Sequence, residues 1–323
     1  MIDEEVMNMN DEVQTEISAQ LENEQDRNTK PKVIVTILKI AGYIISYILM
    51  DVLWLAVFVL ITFLQYRPDF GDEWGLFLQD KDKLSEFIIA IVKRTYMLNW
   101  YILAGGIAWL LLLFLFFRVR KQPILERTGL KKCSPAFLIC GVLIGIGSKL
   151  LIDGVLSLWP QLNGEEIAGI LASAPFKDLY LSDPNTGISA LLSILAVGII
   201  TPFAEEMIFR GICFRHLQRI WPIPFAAAAI SVIFGLMHLS SPVEMLFMAL
   251  WSILLCLMAY RSGSIVPSIL CHMSLNLIAM YRLLNGIKFR ADTGIGMFVF
   301  GIPVLIVGIF ILLRIRPADQ NAG

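Results

Sequence analysis

S-A-L-L-S-I-L-A-V-G-I-I-T-P-F-A-E-E-M-I-F-R-G occupies residues 189–211, and its reading decides the fold. Up to Pro202 the stretch is apolar and suited to lipid. It then places two adjacent carboxylates, Glu205 and Glu206, and one guanidinium, Arg210, at the end of that run. Charged groups inside a membrane are costly, and they face a bundle interior or a water-filled cavity.

The rest of the chain has the same character. Of its 323 residues 57% are hydrophobic and 16% charged, and the mean hydropathy is +0.72. Soluble domains carry about 25% charged residues. Several apolar runs reach the ~18 residues that a transmembrane helix needs. In hydrocarbon the backbone must satisfy its own hydrogen bonds, so these runs are expected to be helices. A β-barrel would show short alternating segments instead. The expected fold is all-α: a polytopic transmembrane bundle of about eight spans, at 33–64, 97–117, 135–159, 188–210, 222–239, 243–260, 265–284 and 296–313.

Composition divides the chain into four parts. Residues 1–32 are a polar, acidic tail with no apolar signal-peptide core, expected to be disordered or loosely helical. Residues 33–184 are a variable front section, 185–285 hold nearly all the intramembrane polar residues, and 286–323 are a last span with a short tail. The second half of the 65–96 loop reads as amphipathic and interfacial. With a net charge of −1, nothing suggests nucleic acid, and no nucleic-acid partner is expected. The five cysteines form no CxxC pair and are expected to be buried thiols. Lysine and arginine gather in 118–132, at Arg215 and Arg219, and after the last span. This places those segments and both termini in the cytoplasm by the positive-inside rule, against some mixed charge in 65–96.

Spacing sorts the intramembrane polar groups. Glu206 and Arg210 are four apart, acid first, the favourable order for an ion pair on one helix face. Glu205 then lies about 100° around the helix, free to act as a desolvated general base. His272 and Asn276 share a face and offer two donors of the kind an oxyanion needs. Phe234 stands four before His238, so its ring can pack under the imidazole. With a turn near Trp221-Pro222, Glu205 and His238 lie roughly 24 Å along their helices from it, level with each other. His216, among arginines at a helix end, reads as an interface residue. Lys149 and Asp153 read as a structural ion pair, and Lys39 as a side chain snorkelling to the interface. Glu-Glu at a helix end is ordinarily a solvated pair, and a lone histidine in a span ordinarily packs. Two histidines, two glutamates and an asparagine on three neighbouring spans call for more.

In order, E-E-M-I-F-R (205–210), F-G-L-M-H (234–238) and H-M-S-L-N (272–276) resemble the EExxxR, FxxxH and HxxxN/D motifs of the CAAX-protease and bacteriocin-processing family, also called CPBP or Abi. G-S-I-V-P-S-I-L-C-H (263–272) is similar to the family's lead into its last histidine. The resemblance covers about 185–285 and implies an intramembrane endopeptidase of the type II CAAX prenyl protease kind. It implies that Glu205 activates water with His238 sharing the task, that His272 and Asn276 stabilise the oxyanion, and that Glu206, Arg210 and Phe234 shape the site. The expected partners are membrane lipids and a prenylated, membrane-associated or bacteriocin-like peptide, cut near the cytoplasmic face.

A cofactor-free mechanism is preferred. The alternative is a divalent metal such as Zn²⁺ held by Glu205, His238 and His272 with water in the fourth position. Two other classes remain open: a proton-coupled transporter using Glu205 and His238 as a relay, and a non-catalytic immunity or scaffold protein. The absence of an inverted repeat weighs against the transporter.

Overall fold

The computed structural model describes residues 33–58, 60, 61, 64, 82, 97–158, 187–238, 242–285 and 291–317. Among these there is no strand. The helices are α1 (Val33–Phe58), α2 (Met97–Val119), the short α3 (Ile124–Thr128), α4 (Pro135–Leu158), α5 (187–217), α6 (Ile223–Met237), α7 (Pro242–Ser262), α8 (Val266–Leu284) and α9 (Ala291–Arg314). Six of them, α1, α2, α4, α5, α7 and α9, are long and apolar enough to cross a membrane. The protein is an integral, multi-pass helical bundle. The other two expected spans are helices as well: α6 is a shorter apolar helix, and α8 carries the polar residues of the site. The acidic tail, the interfacial segment within 65–96 and the 240–241 break lie outside the described residues.

α5 departs most from the expected geometry. It continues past Arg210 to Leu217 and is not a uniform α-helix. Two π-helical segments, Ile194–Ile200 and Met207–Phe214, flank the α-helical Thr201–Glu206 that carries the glutamate pair. Such wide turns are rare and occur mostly as local bulges, often at functional sites. The second segment is buried at every position, with Ile208, Phe209, Ile212, Cys213 and Phe214 at the centre of the core.

Small residues set how closely the helices approach. α4 packs along α9 on one side and α8 on another. Gly141 and Gly145 bring α4 directly against the backbone of α8. A Cβ added at Gly145 would press on the Cys271 carbonyl, beside His272. This is the small-residue packing expected where lipid supplies no hydrophobic drive between helices.

Polar groups tie the helix ends. Gly129, at φ +73°, closes α3 in a left-handed turn that glycine adopts without strain. Its carbonyl accepts the Ile265 N–H, and Ser264 Oγ donates to the Lys131 carbonyl at 2.5 Å. Ser264 Oγ also accepts the Val266 N–H at 3.2 Å and so caps α8. Arg261 donates to the carbonyls of Leu312, Leu313 and Ile315, which satisfies the open end of α9. Asp153 on α4 is fully buried and pairs with Lys149 at 2.7 Å, as expected. It also contacts Arg282 of α8, a partner the spacing could not reveal.

Candidate active site

Glu206 is the hub. Its carboxylate and the Arg210 guanidinium are both fully buried and meet at 2.7 Å, Nη1 to Oε1. Arg210 Nη2 donates to Ser252 Oγ on α7 at 2.5 Å, and its Cζ lies 4.3 Å from the centre of the Phe234 ring. Three helices therefore hold one guanidinium, and its charge is answered by a carboxylate, a hydroxyl and a ring face.

The same Glu206 oxygen, Oε1, accepts the Nδ1–H of His272 at 2.9 Å. That bond fixes the imidazole and turns Nε2 towards Glu205, whose Oε2 is 3.8 Å away. The side chain of Glu205 is 17% exposed, whereas that of Glu206 has no exposure. The two adjacent carboxylates thus divide the work: one is internal and bound to a cation, the other is partly exposed. A separation of 3.8 Å is too long for a direct hydrogen bond, and one water can touch both atoms from the side.

Aromatic rings enclose His272. Trp251 meets it edge to face at 5.0 Å between centroids, and Phe234 does so at 5.9 Å. Phe234 also packs on His238 at 4.7 Å, as its spacing suggests. His238 lies in the turn that closes α6 and is exposed. Its Nδ1–H donates to the Phe234 carbonyl at 2.8 Å, which leaves Nε2 as the free nitrogen. Phe234 therefore touches both histidines and the arginine.

Asn276 stands one turn beyond His272. Its Nδ2 donates to the Val197 carbonyl at 2.9 Å, inside the first π-helical segment of α5. An amide nitrogen has two N–H groups, so one donor is used in bracing α8 against α5 and one remains.

The structure brings Glu205, Glu206, Arg210 and His272 into one connected group. Phe234 places His238 beside that group, and Asn276 borders it. Among the described residues no three His, Cys, Asp or Glu side chains are grouped to hold a metal ion. His272 gives Nδ1–H to Glu206 and His238 gives Nδ1–H to the Phe234 carbonyl, so Nε2 of each and the Glu205 carboxylate are the donors that a divalent cation would use. Sequence reasoning missed Trp251 and Ser252. The tryptophan–serine pair in the apolar run of α7 is the signal for them, and it is weak, because serine is common in membrane spans.

Residues 187–278 match the family model for type II CAAX prenyl endopeptidases, described as Rce1-like. The matched segment runs from the start of α5 into α8 and contains every candidate site residue. No curated protein and no solved structure matches the chain.

Proposed function

We propose, on the premise that residues 187–278 are a domain of the type II CAAX prenyl endopeptidase kind, that the protein hydrolyses a peptide bond of a lipidated or membrane-associated peptide. The observation that carries this reading is the chain Arg210–Glu206–His272 ending opposite the partly exposed Glu205. It provides an accessible carboxylate, an imidazole of fixed orientation and a buried charge that holds both in place.

In the proposed reaction, water lies between Glu205 and His272 Nε2. Glu205 takes a proton from the water as its oxygen attacks the scissile carbonyl carbon. His272 already gives its Nδ1–H to Glu206, so it must carry a second proton, on Nε2, to donate to the oxyanion. His272 and the remaining N–H of Asn276 then hydrogen-bond the oxyanion. When the tetrahedral intermediate collapses, Glu205 returns its proton to the leaving amine. His238, with Nε2 free, assists in moving the proton. No step is assigned to a metal. Cleavage near the cytoplasmic face follows if the basic segments 118–132 and 215–219 lie in the cytoplasm.

The test uses the full chain in vesicles with a lipidated peptide. Glu205→Gln and His272→Ala, inserted and folded as wild type, should each lose ~100-fold or more of the cleavage rate. Retained activity in Glu205→Gln overturns the assignment. Loss of activity on chelation, with recovery on adding zinc, overturns the metal-free form of it.

A further inference from the structure

We propose that the slot between α1 and α2 binds one anionic phospholipid, with its acyl chains between the two helices and its phosphate among basic side chains at the end of the slot. The slot encloses about 690 Å³, within the ~300–1,000 Å³ of typical ligand sites. Its walls include Leu49, Met50 and Leu53 from α1 and Trp109, Leu112 and Leu113 from α2. A second space of about 180 Å³ lies against its end, and Lys39, Tyr43, Phe116 and Arg120 line both. Arg127 and Arg219 complete the second space, together with His216. An apolar trough therefore opens directly onto four cations.

These cations come from four parts of the chain: α1, the end of α2, α3 and the turn after α5. No Asp or Glu is among the described residues lining either space, and none of the four has an ion pair among the described residues. Like charges repel when gathered this way, and a bound anion offsets the repulsion. Arg120 lies over the Phe116 ring at 5.1 Å, which holds its guanidinium at the mouth of the slot. Basic pockets between transmembrane helices are a recognised setting for acidic lipid headgroups. An apolar trough joined to a cation cluster matches the two ends of such a lipid, whereas a free phosphate would leave the trough unfilled. The two spaces share no lining residue with the Glu205–His272 group, and the inference does not rest on the proposed reaction.

The full chain, released from mixed phosphatidylcholine and phosphatidylglycerol micelles, would be weighed by native mass spectrometry. The expected result is one retained phosphatidylglycerol in preference to phosphatidylcholine. Affinity should fall about fivefold per basic side chain removed, hence about 25-fold in Arg120→Gln/Arg219→Gln. Arg316→Gln, an equal charge loss away from the pocket, should leave binding unchanged. Leu112→Trp, which fills the trough without altering charge, should abolish retention. Equal retention of the two lipids, equal loss in Arg316→Gln, or no loss in Leu112→Trp would each overturn the proposal. So would displacement of the lipid by a farnesylated peptide, which would assign the slot to a peptidase substrate.

Discussion

Glu206→Gln isolates the charge at the hub from its shape. The side chain keeps its size and an oxygen that can still face Arg210 and His272. It loses the negative charge 2.7 Å from a guanidinium that has no exposure to solvent. Breaking a buried pair by removing one partner costs about 3–5 kcal/mol, a large share of the 5–15 kcal/mol that typically holds a fold together. Arg210 has no escape, because a guanidinium does not release its proton in a protein. Arg210→Met leaves the opposite charge behind, and that charge does have an outlet. The carboxylate can take up a proton, or His272, 2.9 Å away, can carry the balancing charge. Arg210→Met should therefore cost less than Glu206→Gln. The double variant removes both charges and should recover most of the stability, as replacing a buried pair by apolar groups often does. Cleavage should stay low in all three, because His272 has lost either its carboxylate or the cation that holds that carboxylate. Denaturant unfolding in detergent, followed by circular dichroism, measures the order directly. A Glu206→Gln protein as stable as wild type, or less affected than Arg210→Met, would refute the hub role of this carboxylate.

Further expectations concern the surroundings of the hub. Ser252→Ala strands Arg210 Nη2 and should cost about 1–3 kcal/mol in the same unfolding assay. Gly145→Ala forces α8 away from α4 beside His272. It should cost about 1–3 kcal/mol and lower the cleavage rate of the protein that remains folded, read by turnover per folded molecule. Cys133 lies outside the spans, and burial raises its thiol pKa, with a Ser264 hydrogen bond partly offsetting the effect. A raised value means less thiolate at neutral pH. Maleimide labelling of Cys133 should be slower than that of a free cysteine peptide and should speed up as pH rises.

What the sequence reveals about the site follows the range of each interaction. The Glu206–Arg210 and Lys149–Asp153 pairs and the Phe234–His238 stack are all four residues apart, and helical spacing alone suffices to find them. The bond from His272 to Glu206 joins positions on α8 and α5, and the contacts of Ser252, Trp251 and Arg282 also cross between helices. Local periodicity carries no signal for such contacts. Asn276 shows a further limit. Spacing pairs it with His272, yet one of its donors goes to Val197, in a π-helical turn that has no distinctive composition. Bundle class and the positions of the apolar helices among the described residues are legible in the sequence, because lipid leaves few alternatives for an apolar run. Helix ends are less so: α5 continues beyond the expected Arg210 because Ile212, Cys213 and Phe214 are core residues.

The wide turns of α5 also bear on which length changes the protein can absorb. An ordinary helical residue advances the spiral by about 100°, so deleting one swings everything after it to a new azimuth. A wide turn already contains a surplus residue. Removing one residue from Ile194–Ile200 would relax that turn to α-helix and leave Thr201–Glu206 at the same azimuth. Deleting a residue from Thr201–Glu206 itself would rotate the downstream core-facing side chains out of phase. Over the span of α5, tolerance to shortening should therefore be concentrated in its two wide turns.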